Sequence, residues 1–127
     1  MSGAGAGGGI YIATDDADGK PRKVRVKYFD CECLMGTPKV PLPDIEPGLS
    51  DLLDEMERLD IDRALVRHQI CVDSDHELGN AVLMEEVAEH DNLVPVWYVT
   101  PDGFEGEWDP AASVDKLLER GVRAAWT

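Results

Sequence analysis

Hydrophobic and polar residues along this chain form a repeating unit, in which an amphipathic helix and a short turn precede an apolar strand. The copies of this unit pair residues 49–60 with 63–72, 77–90 with 93–100, and 111–120 with 122–126. Helices that alternate with nearly continuous apolar strands are typical of a parallel sheet covered by helices. The pattern therefore predicts an α/β fold.

The ends of the predicted helices carry recognisable signals. The second helix follows a capping box, Ser74-x-x-Glu77, in which each side chain can bond the other residue's backbone N–H. The third has Asp109 as N-cap and Pro110 at its first position, and Gly121 suits its left-handed C-terminal end. The predicted buried faces are Leu49, Leu52, Leu53, Met56 and Leu59, then Ala81, Met84, Val87 and Ala88, then Val114, Leu117 and Leu118.

The N-terminal residues differ from the repeating unit. Residues 1–9 are Gly/Ala-rich and predict a flexible tail, and residues 10–29 predict a β-hairpin with strands at 10–14 and 23–29. Residues 29–36 predict the first core strand. Residues 37–47 contain four prolines and predict a loop, because proline removes a hydrogen-bond donor and fixes φ.

Composition narrows the classes of partner and the compartment. The net charge of −14 over 127 residues argues against nucleic acid and anionic membranes as partners. No apolar run reaches the roughly 18 residues of a membrane span. The first residues lack the basic and apolar regions of a signal peptide. Three cysteines suit a reducing compartment, so we expect a cytoplasmic protein with free thiols.

The order of the segments resembles the N-terminal part of the amidohydrolase-related (amidohydrolase 2) family. The resemblance covers about residues 28–127. It is carried by FDCECLMG at 29–36, LLDEMERLDIDRALVRH at 52–68, LGNAVLMEEVAEHDNLVPVWYV at 78–99 and LLERGVRAAW at 117–126. It implies a TIM (β/α)8 barrel of a metal-dependent hydrolase or decarboxylase, with residues 30–127 as its first half.

The resemblance also implies where a metal would bind. Such proteins carry His-x-His at the end of the first strand, or Glu-x-His in some decarboxylase-like members, to hold a divalent metal such as zinc. The matching residues here are Glu32 and Leu34, which leaves Glu32 as the one candidate ligand. Leucine cannot bind a metal, so the cofactor stays unknown and enzymatic activity uncertain.

Three polar residues are candidates for the site. Glu32 and His68 are the predicted catalytic residues. Glu32 is a candidate through the resemblance, and His68 is one because it ends the second core strand, where parallel α/β folds carry their chemistry. The alternative for His68 is a hydrogen-bonded histidine at a strand end. Asn80 matches a Gly-Asn pair of some family members and is the candidate for substrate binding, with a helix-surface amide as the alternative. Arg67 alternates to the face opposite His68, where we expect it to pair with helix carboxylates.

Two functions follow, from different classes. In the first, the chain is the N-terminal part of a hydrolase or decarboxylase for a small carboxylate or amide, inactive without the missing C-terminal half. In the second, it is a non-catalytic module that forms a homo-oligomer by burying its open sheet edges against copies of itself. A third option is that two or more chains complete a barrel with a shared site.

Overall fold

In the computed structural model, residues 11–15, 17–40, 43, 48–100 and 109–127 are described, with the backbone alone at 11–15 and 21–24. The predicted tail at residues 1–9 lies outside this part of the chain. The elements are β1 (Tyr11–Asp15), β2 (Pro21–Arg25), β3 (Tyr28–Met35), α1 (Leu49–Leu59), β4 (Ile61–His68), α2 (Gln69–Asp73), α3 (His76–Val87), β5 (Leu93–Tyr98), α4 (Pro110–Glu119) and β6 (Ala124–Trp126).

The main sheet confirms the predicted α/β class. Its four strands lie in the order β3-β4-β5-β6, every neighbouring pair is parallel, and helical segments connect the successive strands. Strands β1 and β2 pair antiparallel in a separate two-stranded sheet, as the hairpin pattern predicts, but β2 ends at Arg25 and the last two residues of the predicted strand at 23–29 begin β3. None of the helices in the described segments has the length and apolar character needed to cross a bilayer.

The hydrophobic core lies between the main sheet and the helices α1 and α3. It consists of Cys33, Met35, Met56, Ala64, Val66, Leu83, Val87 and Leu93, with Leu49, Leu52, Leu53 and Ile61 packed against it. Helix α4 lies on the same side, because its Leu117 and Arg120 share a cavity wall with Trp97 of β5. The described helices therefore cover one face of the sheet.

We call the other side of the sheet the open face. Side chains alternate along a strand, so residues between the core positions project to this face. The strand register places there Glu32, Leu34, Leu65, Arg67, Val94, Val96, Tyr98, Ala124 and Trp126.

Two ion pairs attach the hairpin to the start of β4. The Nε atom of Arg25 donates to Asp60 at 2.8 Å, and Lys27 lies 3.2 Å from Asp62. Asp60 caps the C-terminal end of α1 in the left-handed region, with φ of 60°, which aspartate tolerates better than most residues. This end of the sheet is the one opposite the C-terminal ends of the strands.

Two of the sequence-based boundaries are wrong. Strand β4 ends at His68, as predicted for the second core strand, but the remainder of the apolar run over 63–72 is not strand, because Gln69–Asp73 form a short helix. Helix α3 begins at His76 because the side chain of Asp75 accepts from Leu78 N at 2.8 Å, whereas Ser74 is the C-cap of α2. The cap therefore lies one residue after the predicted Ser74.

Candidate functional site

An ion pair lies on the open face between Glu32 of β3 and Arg67 of β4. The Nη2 atom of Arg67 donates to Glu32 Oε1 at 2.5 Å. The Glu32 side chain is 73% exposed and that of Arg67 is 22% exposed, so the carboxylate remains accessible beside a largely enclosed guanidinium. The predicted pairing of Arg67 with helix carboxylates is wrong, because strand alternation turns Arg67 away from the helices.

Aromatic rings extend this pair along the C-terminal ends of the strands. The guanidinium of Arg67 lies 4.5 Å from the centroid of the Trp126 ring, which is within cation–π distance. Trp126 meets Tyr98 edge to face, with centroids 4.4 Å apart, and Tyr98 meets His76 at 5.9 Å. The row therefore runs from Glu32 to the first residue of α3. From the sequence, neither Tyr98 nor Trp126 is a candidate site residue, although in the structure each ends a strand.

His68 lies on the other side of the sheet from Glu32. The residue is 5% exposed, Nδ1 accepts from Ile70 N at 3.2 Å, and Nε2 lies 3.4 Å from Glu86. Gly36 leaves room for the ring, since a Cβ at that position would lie 2.7 Å from His68 Cε1. These contacts are those of a hydrogen-bonded histidine at a strand end, which also caps α2. The structure does not bring the two predicted catalytic residues together.

Asn80 is buried and connects α3 to the end of β5. Its Oδ1 accepts from Tyr98 N at 3.0 Å and its Nδ2 donates to Tyr98 O at 2.9 Å, so one amide satisfies both backbone groups of one residue. The Sγ atom of Cys71 lies 3.5 Å from the same Oδ1. The helix-surface alternative is therefore wrong, because only 5% of Asn80 is exposed.

Asn80 also borders a cavity of about 420 Å³ between α3, α4 and the end of β5, which we call the α3–α4 cavity. Five polar or charged lining residues lie on α3 and α4, and Arg120 is the C-cap of α4. The other lining residues are apolar helix residues or belong to β5 and the residues after it. The lining residues are His76, Glu77, Asn80, Ala81, Trp97, Val99, Thr100, Ser113, Lys116, Leu117 and Arg120.

The residues around Glu32 do not fit a divalent metal. Glu32 is engaged by Arg67, Leu34 offers no ligand atom, and no group of three or more His, Cys, Asp or Glu in the described segments could hold a metal ion. Burial, followed by a hydrogen bond with Asp30, raises the pKa of Cys33 to about 12, so this thiol stays protonated and poor as a ligand. We therefore derive no chemical step through a metal.

Comparison of the chain with protein-family models, with curated proteins and with solved structures found no match in any of the three.

Proposed function

We propose that this chain is a self-associating half-barrel, two copies of which close their sheets into one eight-stranded parallel barrel. The observation that carries this proposal is the asymmetry of the four-stranded sheet. Its strands follow chain order, and the described helices all lie on one face of the sheet. Four parallel strands in chain order with helices outside are half of the strand set of a (β/α)8 barrel.

The edges of the sheet support the same arrangement. Strands β3 and β6 are the outer strands, so each pairs with a neighbour on one side within the described residues. Unpaired edges of a parallel sheet present N–H and C=O groups that pair readily with another strand. A two-fold axis would place β6 of each copy beside β3 of its partner, which satisfies both edges at once.

The open face has the composition of a small-barrel interior. Such interiors are filled by side chains rather than water, and bulky branched residues dominate them. Leu65 and Val94 lie side by side on this face, and Leu34 is 40% exposed beside Arg67. Closure would bury Leu34 and would enclose the exposed carboxylate of Glu32 together with the guanidinium that already pairs with it.

Apolar residues also border both edges of the sheet. Phe29 and Leu59 lie beside the free edge of β3, and they are 55% and 49% exposed. Helix α4, which leads into β6, carries Val114 and Leu118 at 51% and 47% exposure. Pairing β6 with a partner's β3 would bring these two groups to the same junction, where burial of apolar surface favours association.

Hydrolysis or decarboxylation of a small carboxylate or amide, the activity that the resemblance implies, is a second candidate for the assembled barrel. It is favoured by the position of Arg67 near the C-terminal ends of the strands, where α/β enzymes bind substrates. In this candidate, the guanidinium would exchange the Glu32 carboxylate for that of a substrate.

The proposal is tested by the solution mass of the chain, measured by size-exclusion chromatography with light scattering. The expected value is twice the 14.0 kDa of one chain. Leu34→Glu introduces a charge on the open face, and we expect it to give the monomer mass with unchanged circular dichroism. Leu78→Glu is the matched control, since Leu78 is 55% exposed on α3, and it should leave the dimer intact.

Three outcomes would contradict the proposal. They are a monomer of wild-type chain at all concentrations reached, an assembly of another size, and a dimer that Leu34→Glu leaves unchanged. The hydrolase candidate fails separately if the dimer forms but Arg67→Gln does not reduce turnover of any small carboxylate ester or amide that wild-type protein cleaves.

A further inference from the structure

The α3–α4 cavity lies on the helical side of the sheet, away from the open face, and the half-barrel proposal does not use it. We infer that this cavity is a binding site for a small organic anion, a carboxylate attached to a flat apolar body. The inference does not depend on the proposed function, because none of the strand residues assigned to the open face lines this cavity.

Two cationic side chains face this cavity in a strongly acidic chain. Lys116 of α4 and Arg120, the C-cap residue of that helix, both line the wall, whereas the chain as a whole carries a net charge of −14. Within the described residues neither cation forms an ion pair, and Glu77 is the single carboxylate among the lining residues. The cavity is therefore a local exception to the acidic character of the chain.

The floor of the cavity supplies a flat apolar surface. Trp97 lies beneath Arg120, with the guanidinium carbon 5.4 Å from the ring centroid. This contact keeps the guanidinium over the indole and leaves its N–H groups for an acceptor, because a cation–π contact uses the face of the ion. Leu117, Ala81 and Val99 add apolar wall beside the indole.

A neutral donor also lines the cavity. The side-chain amide nitrogen of Asn80 carries two N–H groups, and one of them donates a hydrogen bond to Tyr98 O. The second N–H belongs to a side chain that lines the cavity and is held in place by both of its bonds to Tyr98. A carboxylate has two oxygens that each accept more than one hydrogen bond, which suits a cation and an amide together.

The size of the cavity limits the ligand. About 420 Å³ lies near the lower end of the range of roughly 300–1,000 Å³ for small-molecule sites. A single aromatic or aliphatic ring with one carboxylate is of this size. Longer polyanions such as nucleic acid are disfavoured by the acidic remainder of the chain.

The experiment is a titration of ¹⁵N-labelled full-length protein with benzoate, followed by NMR at the indole N–H signals and side-chain amides. Benzamide, which has nearly the same shape without the charge, is the neutral probe. We expect benzoate to shift the Trp97 indole and Asn80 amide signals with a dissociation constant in the millimolar range. Benzamide should bind at least about tenfold more weakly, because it lacks the charge of the carboxylate that the cations bind.

Matched variants assign the effect to the cavity. Arg120→Gln and Lys116→Gln should each weaken benzoate binding by about tenfold. Arg123→Gln makes the same change of charge three residues further along, at an exposed side chain that does not line the cavity, and should bind as wild type does. If Arg120→Gln unfolds, Lys116→Gln still decides the question.

The inference is overturned if benzamide binds as well as benzoate, or if the two cavity variants bind no more weakly than Arg123→Gln. It is also overturned if benzoate shifts the Trp126 indole but not that of Trp97, because the anion would then occupy the open face beside Arg67. Failure here leaves the solution mass of the chain unaffected, so the two proposals fail separately.

Discussion

At the residue scale, Asn80 joins two elements that the sequence presents as independent. Helix α3 and strand β5 are connected by a turn, yet the end of β5 depends on a side chain 18 residues earlier. The same amide fixes Tyr98, and Tyr98 contacts both Trp126 and His76. One buried asparagine therefore positions the aromatic row on the open face as well as one wall of the α3–α4 cavity.

We predict that Asn80→Ala lowers the free energy of unfolding by about 3 kcal/mol, because it leaves two backbone groups of Tyr98 without partners in a part-buried place. Chemical denaturation followed by circular dichroism measures this change. Asn92→Ala is the control, since the side chain of Asn92 makes no hydrogen bond within the described residues, and it should change stability by less than about 0.5 kcal/mol. Equal losses in the two variants would show that the Tyr98 bonds contribute little.

Glu32 and Arg67 show how far sequence reasoning reaches at this scale. Alternation along a strand predicts that Glu32 and Cys33 face opposite sides, and the structure confirms it. Alternation also predicts that Arg67 and His68 face opposite sides of the sheet. The partner of Arg67 could not be predicted in the same way, because it depends on the register between β3 and β4 and on which face the helices occupy. Both are long-range properties that no local pattern records.

At the element scale, local signals located both ends of α4. Asp109 accepts from Ala111 N and Ala112 N, Pro110 begins α4, and Gly121 has φ of 75°, as their sequence positions predict. The buried face predicted for the second helix is largely wrong, since its buried residues are Gly79, Asn80, Leu83 and Val87. The buried stripe contains a glycine and an asparagine, so it lacks the regular spacing of apolar residues on which such predictions depend.

Gly79 explains why α2 and α3 can pack so closely. A Cβ at this position would lie 2.6 Å from the backbone N of Cys71, which cannot move without displacing α2. Because φ of Gly79 lies in the ordinary helical region, the backbone conformation does not require glycine here. The small size of Gly79 instead allows the two helices to pack closely. Its cost to helix stability, about 1 kcal/mol relative to alanine, is offset by the packing that it allows.

We predict that Gly79→Ala lowers the free energy of unfolding by about 1–2 kcal/mol, because overpacking against the backbone outweighs the gain in helix propensity. Ser50→Ala, at an exposed position of α1, makes a similar gain in propensity with no such neighbour and should change stability by less than about 0.5 kcal/mol. Thermal and chemical unfolding of both variants measure the difference. A Gly79→Ala protein as stable as wild type would mean that α2 and α3 are not closely packed.

At the scale of the whole molecule, two properties oppose each other in the proposed dimer. The open face and the two edges favour association, because they carry apolar side chains and, within the described residues, backbone groups that no further strand pairs. The net charge of −14 on each copy opposes it, because two strongly acidic bodies repel one another. Apolar burial acts at contact, whereas repulsion of net charge acts at longer range and is screened by salt.

This balance predicts that salt strengthens the dimer. Raising NaCl from about 0.1 M to about 1 M shortens the Debye length from about 10 Å to about 3 Å. We expect the dissociation constant of the dimer, measured by sedimentation equilibrium, to fall by roughly tenfold as the repulsion is screened. An unchanged or larger dissociation constant at high salt would mean that net charge does not oppose association.

A variant separates screening from a general effect of salt on apolar burial. Glu85→Gln/Glu89→Gln removes two exposed carboxylates and changes the net charge from −14 to −12 without touching the open face or either sheet edge. If repulsion between copies limits the dimer, this variant should dimerise more tightly than wild type at low salt, and the two should converge at high salt. If salt acts by strengthening apolar burial instead, the two proteins should respond to it in parallel, because their apolar surfaces are the same.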